Sequence, residues 1–389
     1  MLLIGFNSLY LSKVKNIIKN KIFLTGLLFK IALIIFLLPS ITSDLFLPFV
    51  KNTIENLSFD PWSNFLMTGG DVNSFPYGVI MLLAYLPFSF LGNLLDQYIY
   101  DGNFFELGFK LTSLIFDFVL LIFLSFITNN KSKNLLILCY WLSPIAIYTS
   151  FIHGQLDIIP ISLLIVSLYF LKLNQYKLSG VFFALSLSSK FSMFISLPFI
   201  LVYIYKRKGF QNDFLKYIFS LLITSFVLYF PFLISNGFLE MVLETREVNR
   251  LYTVFINYGS NLKLFIVPFI YIFSLYLFWR LSRITQDLFL ISIGIGFISI
   301  LSFLTPAPGW TLWIIPFLTY YQINSKKDIL LITIIYSLIY ILNAYGYDNF
   351  SRQETLNFIN AFNYDENLYL RNILFTLQQS LGLLIAVRM

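Results

Sequence analysis

The chain has 389 residues, of which 58% are hydrophobic and only 12% charged, and its mean hydropathy is +0.79. A water-soluble domain carries about a quarter charged residues, so a chain with half that share has little surface to offer water and takes lipid as its solvent. The net charge of +7 does not point to nucleic acid, because Lys and Arg stand in short clusters between apolar runs instead of forming a groove-sized patch.

Lys13, Lys15, Lys19 and Lys21 precede an apolar stretch from Ile22 to Pro39. That stretch is too long for a signal-peptide core, and no small-x-small cleavage pattern follows it, so it reads as a retained first span. Lys30 lies inside it and is expected to snorkel to the interface. A helix needs about 20 mostly apolar residues to cross the hydrocarbon. Runs at 22–40, 109–128, 134–151, 157–172, 214–234, 260–279, 287–304, 310–324, 328–346 and 368–387 meet or approach that length. Cys139, the one cysteine, sits within such a run, which leaves no material for a disulfide framework or a thiolate metal site. The stretch 178–205 is longer than one span and is interrupted by Ser186, Ser188, Ser189 and Lys190. It predicts two short helices meeting at that polar break, with Pro198 in the second; such breaks are tolerated where they face protein or a wet cavity. The expectation is an all-α polytopic transmembrane helix bundle of about a dozen spans, one domain over 1–389 without internal repeats.

Orientation follows from the basic residues. We take 76–95 as an interfacial or re-entrant helix, which its Pro87 and Gly92 suit. The basic clusters at 13–21, 131–133, 172–177, 206–216, 280–283 and 326–327, with Arg388, then share one side. The positive-inside rule makes that side, and both termini, cytoplasmic. Were 76–95 a span, every later loop would invert and the bias would reverse. Of the carboxylates, only Asp213, Asp287 and Asp328 fall on the cytoplasmic side and Asp117 lies within a span. Polar chemistry therefore belongs to the outer face, with its three long loops 41–108, 235–259 and 347–367.

Five constellations on that face carry polar or aromatic groups. Ser43-Asp44 follows the first span directly, and Asp44 either caps a helix or serves a ligand. The same loop ends on Phe75-Pro76-Tyr77-Gly78. The turn His153-Gly154-Gln155-Leu156-Asp157 holds the chain's sole histidine; one His cannot make a metal site, yet the turn is more polar than a turn requires. Lys190 at the helix break either snorkels or pairs with Asp157, Asp44 or a lipid-borne phosphate. Arg246 and Arg250, four apart, share a helix face that suits a phosphate, or else pair with Glu244 and Glu247. Trp310 and Trp313 are belt residues, or they stack on a sugar or a polyprenyl chain.

The order of these features resembles the GT-C superfamily of membrane glycosyltransferases. The likeness runs from about residue 40 to 320 through Asp44, Phe116-Asp117, Trp141-Leu-Ser-Pro144, Gly154-Gln155-Leu156-Asp157, Leu185-Ser-Leu-Ser-Ser-Lys190 and Trp310-Thr-Leu-Trp313-Ile-Ile-Pro316. It is nearest to the first mannosyltransferase of GPI-anchor assembly and to polyprenyl-phosphate-mannose-dependent enzymes of bacteria and archaea. The resemblance implies inverting transfer of mannose or another hexose from a polyprenyl-phosphate donor to a glycan, glycolipid or protein acceptor at the external or lumenal face. Asp44 would be the general base and Asp157 a second acidic residue of the site. Lys190 with Arg246 and Arg250 would hold the donor phosphate, and Tyr77, His153, Gln155, Trp310 and Trp313 would line the substrate. The family's acidic-x-acidic pair is absent, since Leu45 and Phe46 follow Asp44, so no metal site is carried over; a divalent metal stays open as a cofactor without residues assigned to it. The setting would be the plasma or inner membrane of a prokaryote, or the endoplasmic reticulum membrane of a eukaryote. The competing reading is a secondary transporter or a flippase for lipid-linked saccharides, which also uses broken helices and intramembrane charges. A polysaccharide polymerase or ligase shares the lipid-linked substrate but centres on external Arg and His.

Overall fold

Long runs of Leu, Ile and Phe leave the backbone no water to bond, so each segment has to close its hydrogen bonds internally. The computed structural model, which describes residues 8–99, 102–128, 132–304, 308–324, 328–345 and 368–389, does so as helix nearly throughout. Helix α1 (Ser8–Ile18) leads into α2 (Lys21–Phe36), and the first loop carries the short helices α3 (Leu47–Glu55) and α4 (Pro61–Met67). Then come α5 (Val79–Tyr98) and α6 (Phe104–Ile127), a bent pair over Lys133–Trp141 and Pro144–Ile152, α7 (Ile158–Lys172) and α8 (Tyr176–Ser189). The second half holds α9 (Leu197–Lys208), α10 (Asn212–Tyr229), a two-stranded hairpin of Phe255–Asn257 with Lys263–Phe265, α11 (Ile266–Arg280) and α12 (Gln286–Leu301). Helices α13 (Ile315–Asn324), α14 (Asp328–Tyr345) and α15 (Leu368–Arg388) close the described chain. The external loop expected at 347–367 lies outside the described residues.

Among the described residues four helices are long and apolar enough to cross a membrane, or five if the pair bent by 45° counts as one span. The sequence count of about a dozen spans of full length is thus not matched helix for helix. The reason is local. The run 134–151 breaks at Ser143-Pro144, and 178–205 breaks at Lys190, which is extended between α8 and a 3-10 turn over Phe191–Ser196. The pieces are apolar helices shorter than a full crossing.

Helix α5, expected to be interfacial or re-entrant, has 20 residues with the length and hydropathy of a span. Its Gly92 is a packing contact: a Cβ there would sit 2.1 Å from the Phe104 carbonyl, and one on Gly108 would sit 2.1 Å from that of Phe88. Such small residues let two backbones approach where no hydrophobic force drives helices together. Tyr85 also bonds Ser113 at 2.7 Å, so α5 and α6 run antiparallel. Helix α6 is in turn antiparallel to α2, with Lys110 on the Leu37 carbonyl at 3.0 Å and Lys30 on Asp117 at 2.5 Å. These pairings start α5 at mid-bundle and carry it past the far end of α2. It does not return to the end where α1 meets α2.

That end gathers the basic loops. Asn20 bonds Asn134 at 2.8 Å, Lys172 caps the Phe126 and Ile127 carbonyls at 3.1 and 2.8 Å, and Lys208 pairs with Asp213 at 3.5 Å. Lys206 reaches the Leu281 carbonyl at 3.4 Å.

One expectation is corrected outright. Lys30 does not snorkel; it is fully buried and paired with Asp117, whose other oxygen accepts from Tyr140 at 2.6 Å. Its ammonium lies 3.5 Å from the centroid of the Trp141 ring. The residue faces the bundle interior, where an anion is nearer than water. An intramembrane charge is costly unless so matched.

Candidate functional site

Opposite the basic end, the segments singled out by the sequence meet. Three close approaches assemble them. The Gly78 N–H donates to the Ser189 carbonyl at 3.1 Å, and a Cβ on Gly78 would lie 2.1 Å from the Ser188 oxygen. This presses the Pro76-Tyr77 element onto the helix break. Gly154, at φ +79, meets Thr42 and Pro39, and its carbonyl accepts from the Thr42 hydroxyl at 3.3 Å. Gly309 is seated against the Gln155 side chain, where a Cβ would be 2.0 Å away. Any side chain at Gly78 would strike backbone, which does not yield.

At the centre, Lys190 donates to both oxygens of Asp157 at 2.7 and 2.9 Å, and the Trp313 indole N–H donates to Asp157 Oδ1 at 2.7 Å. Asp157 precedes α7 but does not cap it: its backbone is helical (φ −63, ψ −9) and its side chain makes no cap bond, whereas a capping residue is usually extended. The carboxylate is thus released to the ammonium and the indole. The ammonium also lies 5.1, 5.7 and 5.4 Å from the ring centroids of Tyr77, Trp310 and Trp313. Trp310 and Trp313 stack at 5.1 Å, and the Arg250 guanidinium is 5.6 Å from the Trp310 centroid. Gln155 donates to the Tyr77 hydroxyl at 2.7 Å. At 1.5 Å per residue, the 15 residues of α7 set this cluster about 22 Å from the basic end, short of a hydrocarbon core of about 30 Å. The site is recessed in the bundle.

Beside the cluster opens a cavity of about 970 Å³. Tyr77, His153, Gln155, Lys190, Arg250, Trp310 and Trp313 are among its lining residues, joined by Asn73. The remaining wall is largely apolar, with Phe191, Phe194, Ile195, Pro198, Leu251, Val267, Tyr271 and Ile300. Phe191 and Phe194 stack at 5.7 Å, and the Tyr271 hydroxyl ties α11 to the Ile195 carbonyl at 2.8 Å.

Two candidates stand apart from this lining. Asp157 is fully buried behind Lys190. Asp44 is exposed and takes a 2.6 Å hydrogen bond from Ser43, while its neighbours Ile41, Leu45 and Phe46 face the cavity. Asp44 sits in a π-helical turn, Thr42–Phe46. A second such turn, Leu239–Leu243, borders the same cavity through Val242 and Leu243, and a third, Tyr148–Ile152, ends one residue before His153 of its lining; π-turns concentrate at functional sites. Arg246 opens the 3-10 turn Arg246–Tyr252, and its side chain lies outside the described residues. Among the described residues, no three His, Cys, Asp or Glu side chains gather as a metal site.

Sequence reasoning missed the walls of the cavity, which come from segments spread between Ile41 and Pro308, and it missed the Lys30–Asp117 pair. The pair did leave a signal: two opposite charges, each alone in an apolar run, have few other partners in lipid. No protein-family model and no curated protein matches the chain.

Proposed function

We propose that the protein is a membrane glycosyltransferase that moves a hexose from a polyprenyl-phosphate donor to an acceptor hydroxyl at the face opposite its basic loops. The observation that carries this reading is the mixed lining of the cavity, where Lys190 and Arg250 gather on the rings of Trp310, Trp313 and Tyr77 while most of the remaining residues are apolar. An amphiphile with an anionic head and a sugar matches that lining. Its volume falls at the upper end of ligand cavities, about 300–1,000 Å³.

In the proposed step the acceptor oxygen attacks the anomeric carbon with inversion while Asp44 takes its proton. The bond from that carbon to the phosphate oxygen breaks, and the electron pair leaves with the phosphate. Lys190 and Arg250 offset the charge developing there, the kind of preorganised term that contributes most to such reactions. Asp157 is a positioning residue: with Trp313 it holds the Lys190 ammonium in one place. The positive-inside rule supports a cytoplasmic basic end and hence an external or lumenal site.

The test is transfer by purified protein in nanodiscs supplied with a polyprenyl-phosphate hexose and candidate acceptors. Asp44→Asn should lower kcat by about 100-fold, the usual contribution of a general base. A well-folded Asp44→Asn variant with undiminished transfer would remove Asp44 as base. Arg250→Ala should raise the KM for donor more than for acceptor; equal effects would remove the phosphate role. The broken helices meeting at Lys190 favour the transporter reading instead. That reading gains if no lipid-phosphate sugar is turned over while proteoliposomes accumulate solute.

A further inference from the structure

The first loop contains side chains that the bundle leaves uncovered. Phe59 is 103% exposed, Leu57 90% and Met67 85%. They are not the loose end of a flexible loop. The Ser58 hydroxyl bonds both the N–H and the carbonyl of Asp60, at 3.1 and 3.2 Å, and the Asp60 carboxylate caps α4 through the Ser63 N–H at 3.1 Å. The turn is tied to itself with its apolar side chains held outward. Three large apolar residues so presented mark a contact surface.

What lies beside them identifies the occupant. Helix α4 rests on the outer end of α10: Ser63 bonds Ser235 at 3.2 Å and the Gly237 N–H at 3.0 Å, and Trp62 packs edge-on against Phe232 and Phe238. Helix α10 is one of the four of spanning length and hydropathy. Its exposed face runs through Phe226 (59%) and Phe230 and continues to Leu233 and Ile234 (91%). The uncovered turn therefore stands beside the exposed apolar face of a helix of spanning length.

We infer that the segment 57–67 is a foot resting in the outer leaflet beside α10, with Leu57 and Phe59 buried among lipid chains just below the headgroups. The foot is coupled to the site by a chain of rings. Trp62 contacts Phe49 at 5.8 Å, Phe49 stacks on Phe75 at 4.6 Å, and Phe75 meets Tyr77 at 5.4 Å. Seating the foot would hold Tyr77 and the cavity mouth at a fixed depth. The inference does not rest on the transferase reading.

The experiment uses the full chain with Cys139→Ser, reconstituted in phosphatidylcholine nanodiscs. A nitroxide is attached at Phe59→Cys, at Phe226→Cys as lipid reference, and at Asn56→Cys as reference outside the foot. Accessibility to oxygen, which partitions into lipid, is compared with that to a water-soluble nickel chelate. The expected result is an oxygen-to-nickel ratio at 59 close to that at 226 and several-fold above that at 56. Nickel exceeding oxygen at 59 would show a water-facing tip and overturn the foot. An immobilised label shielded from both reagents would assign the surface to a protein partner or a second copy, and would overturn it equally. Leu57→Cys gives the same reading if the variant at 59 does not fold.

Discussion

The protein holds two buried lysine–aspartate pairs built to one plan. Each ammonium lies over a tryptophan, and each carboxylate takes a further hydrogen bond from an aromatic side chain: Tyr140 for Asp117, Trp313 for Asp157. They differ in what lies beyond. Lys30 and Asp117 are 0% and 1% exposed, sealed between α2, α6 and the bent pair, whereas Lys190 is 13% exposed at the edge of the large cavity. The sealed pair is closed in by Tyr140, Trp141 and Phe151. The open pair neutralises its charge yet keeps one face toward the cavity. The difference separates an enclosed clip between helices from a cation that the proposed function sets against the donor phosphate.

The strongest way to break that distinction is to remove one charge from each pair. Lys30→Met strands Asp117 in the bundle and should destabilise the fold by about 3–5 kcal/mol, the usual cost of breaking a buried pair from one side. Equilibrium unfolding in detergent would read this, and Lys30→Met with Asp117→Leu should recover most of the loss. A single variant as stable as the parent would mean that the pair contributes no register.

Lys190→Met should do the opposite. Transfer should fall about 100-fold or more, as when a charge-stabilising donor is lost, while unfolding shifts less than for Lys30→Met because Lys190 is partly exposed at the cavity edge and Lys30 is sealed. If both Met variants unfold alike, the second pair is a clip as well and the site lies elsewhere.

Some of this was open to a reader of the sequence. The composition fixes a lipid solvent, and the break before Phe191 follows from three serines and a lysine interrupting an apolar run. The motifs at 77, 153–157, 190 and 310–313 do converge. What could not be read is pairing across the bundle. Lys30 and Asp117 are 87 residues apart, and helical periodicity says which face is apolar but not which neighbour covers it. Depth was hidden for the same reason. An apolar run of spanning length gives no indication that α5 starts at mid-bundle, since that follows from Gly92 and Gly108 against α6. For Lys190 the sequence left snorkelling, Asp157, Asp44 and a lipid-borne phosphate open, and only the assembled bundle shows that the partner is Asp157.

The finest test of the comparison removes the third partner of each pair and leaves the ions in place. Tyr140→Phe takes one hydrogen bond from Asp117 with almost no change in shape. In a membrane bundle such a bond contributes about 0.6–2 kcal/mol, so a small loss of stability is expected with transfer unchanged. Trp313→Phe takes the equivalent bond from Asp157 and leaves the Lys190 contacts. Asp157 Oδ1 then relies on the ammonium alone, which is drawn toward the carboxylate and away from the cavity. The KM for donor should rise by a few-fold with little change in unfolding. A KM effect from Tyr140→Phe, or a stability effect without a KM effect from Trp313→Phe, would erase the contrast, because the two carboxylates would then be doing one job.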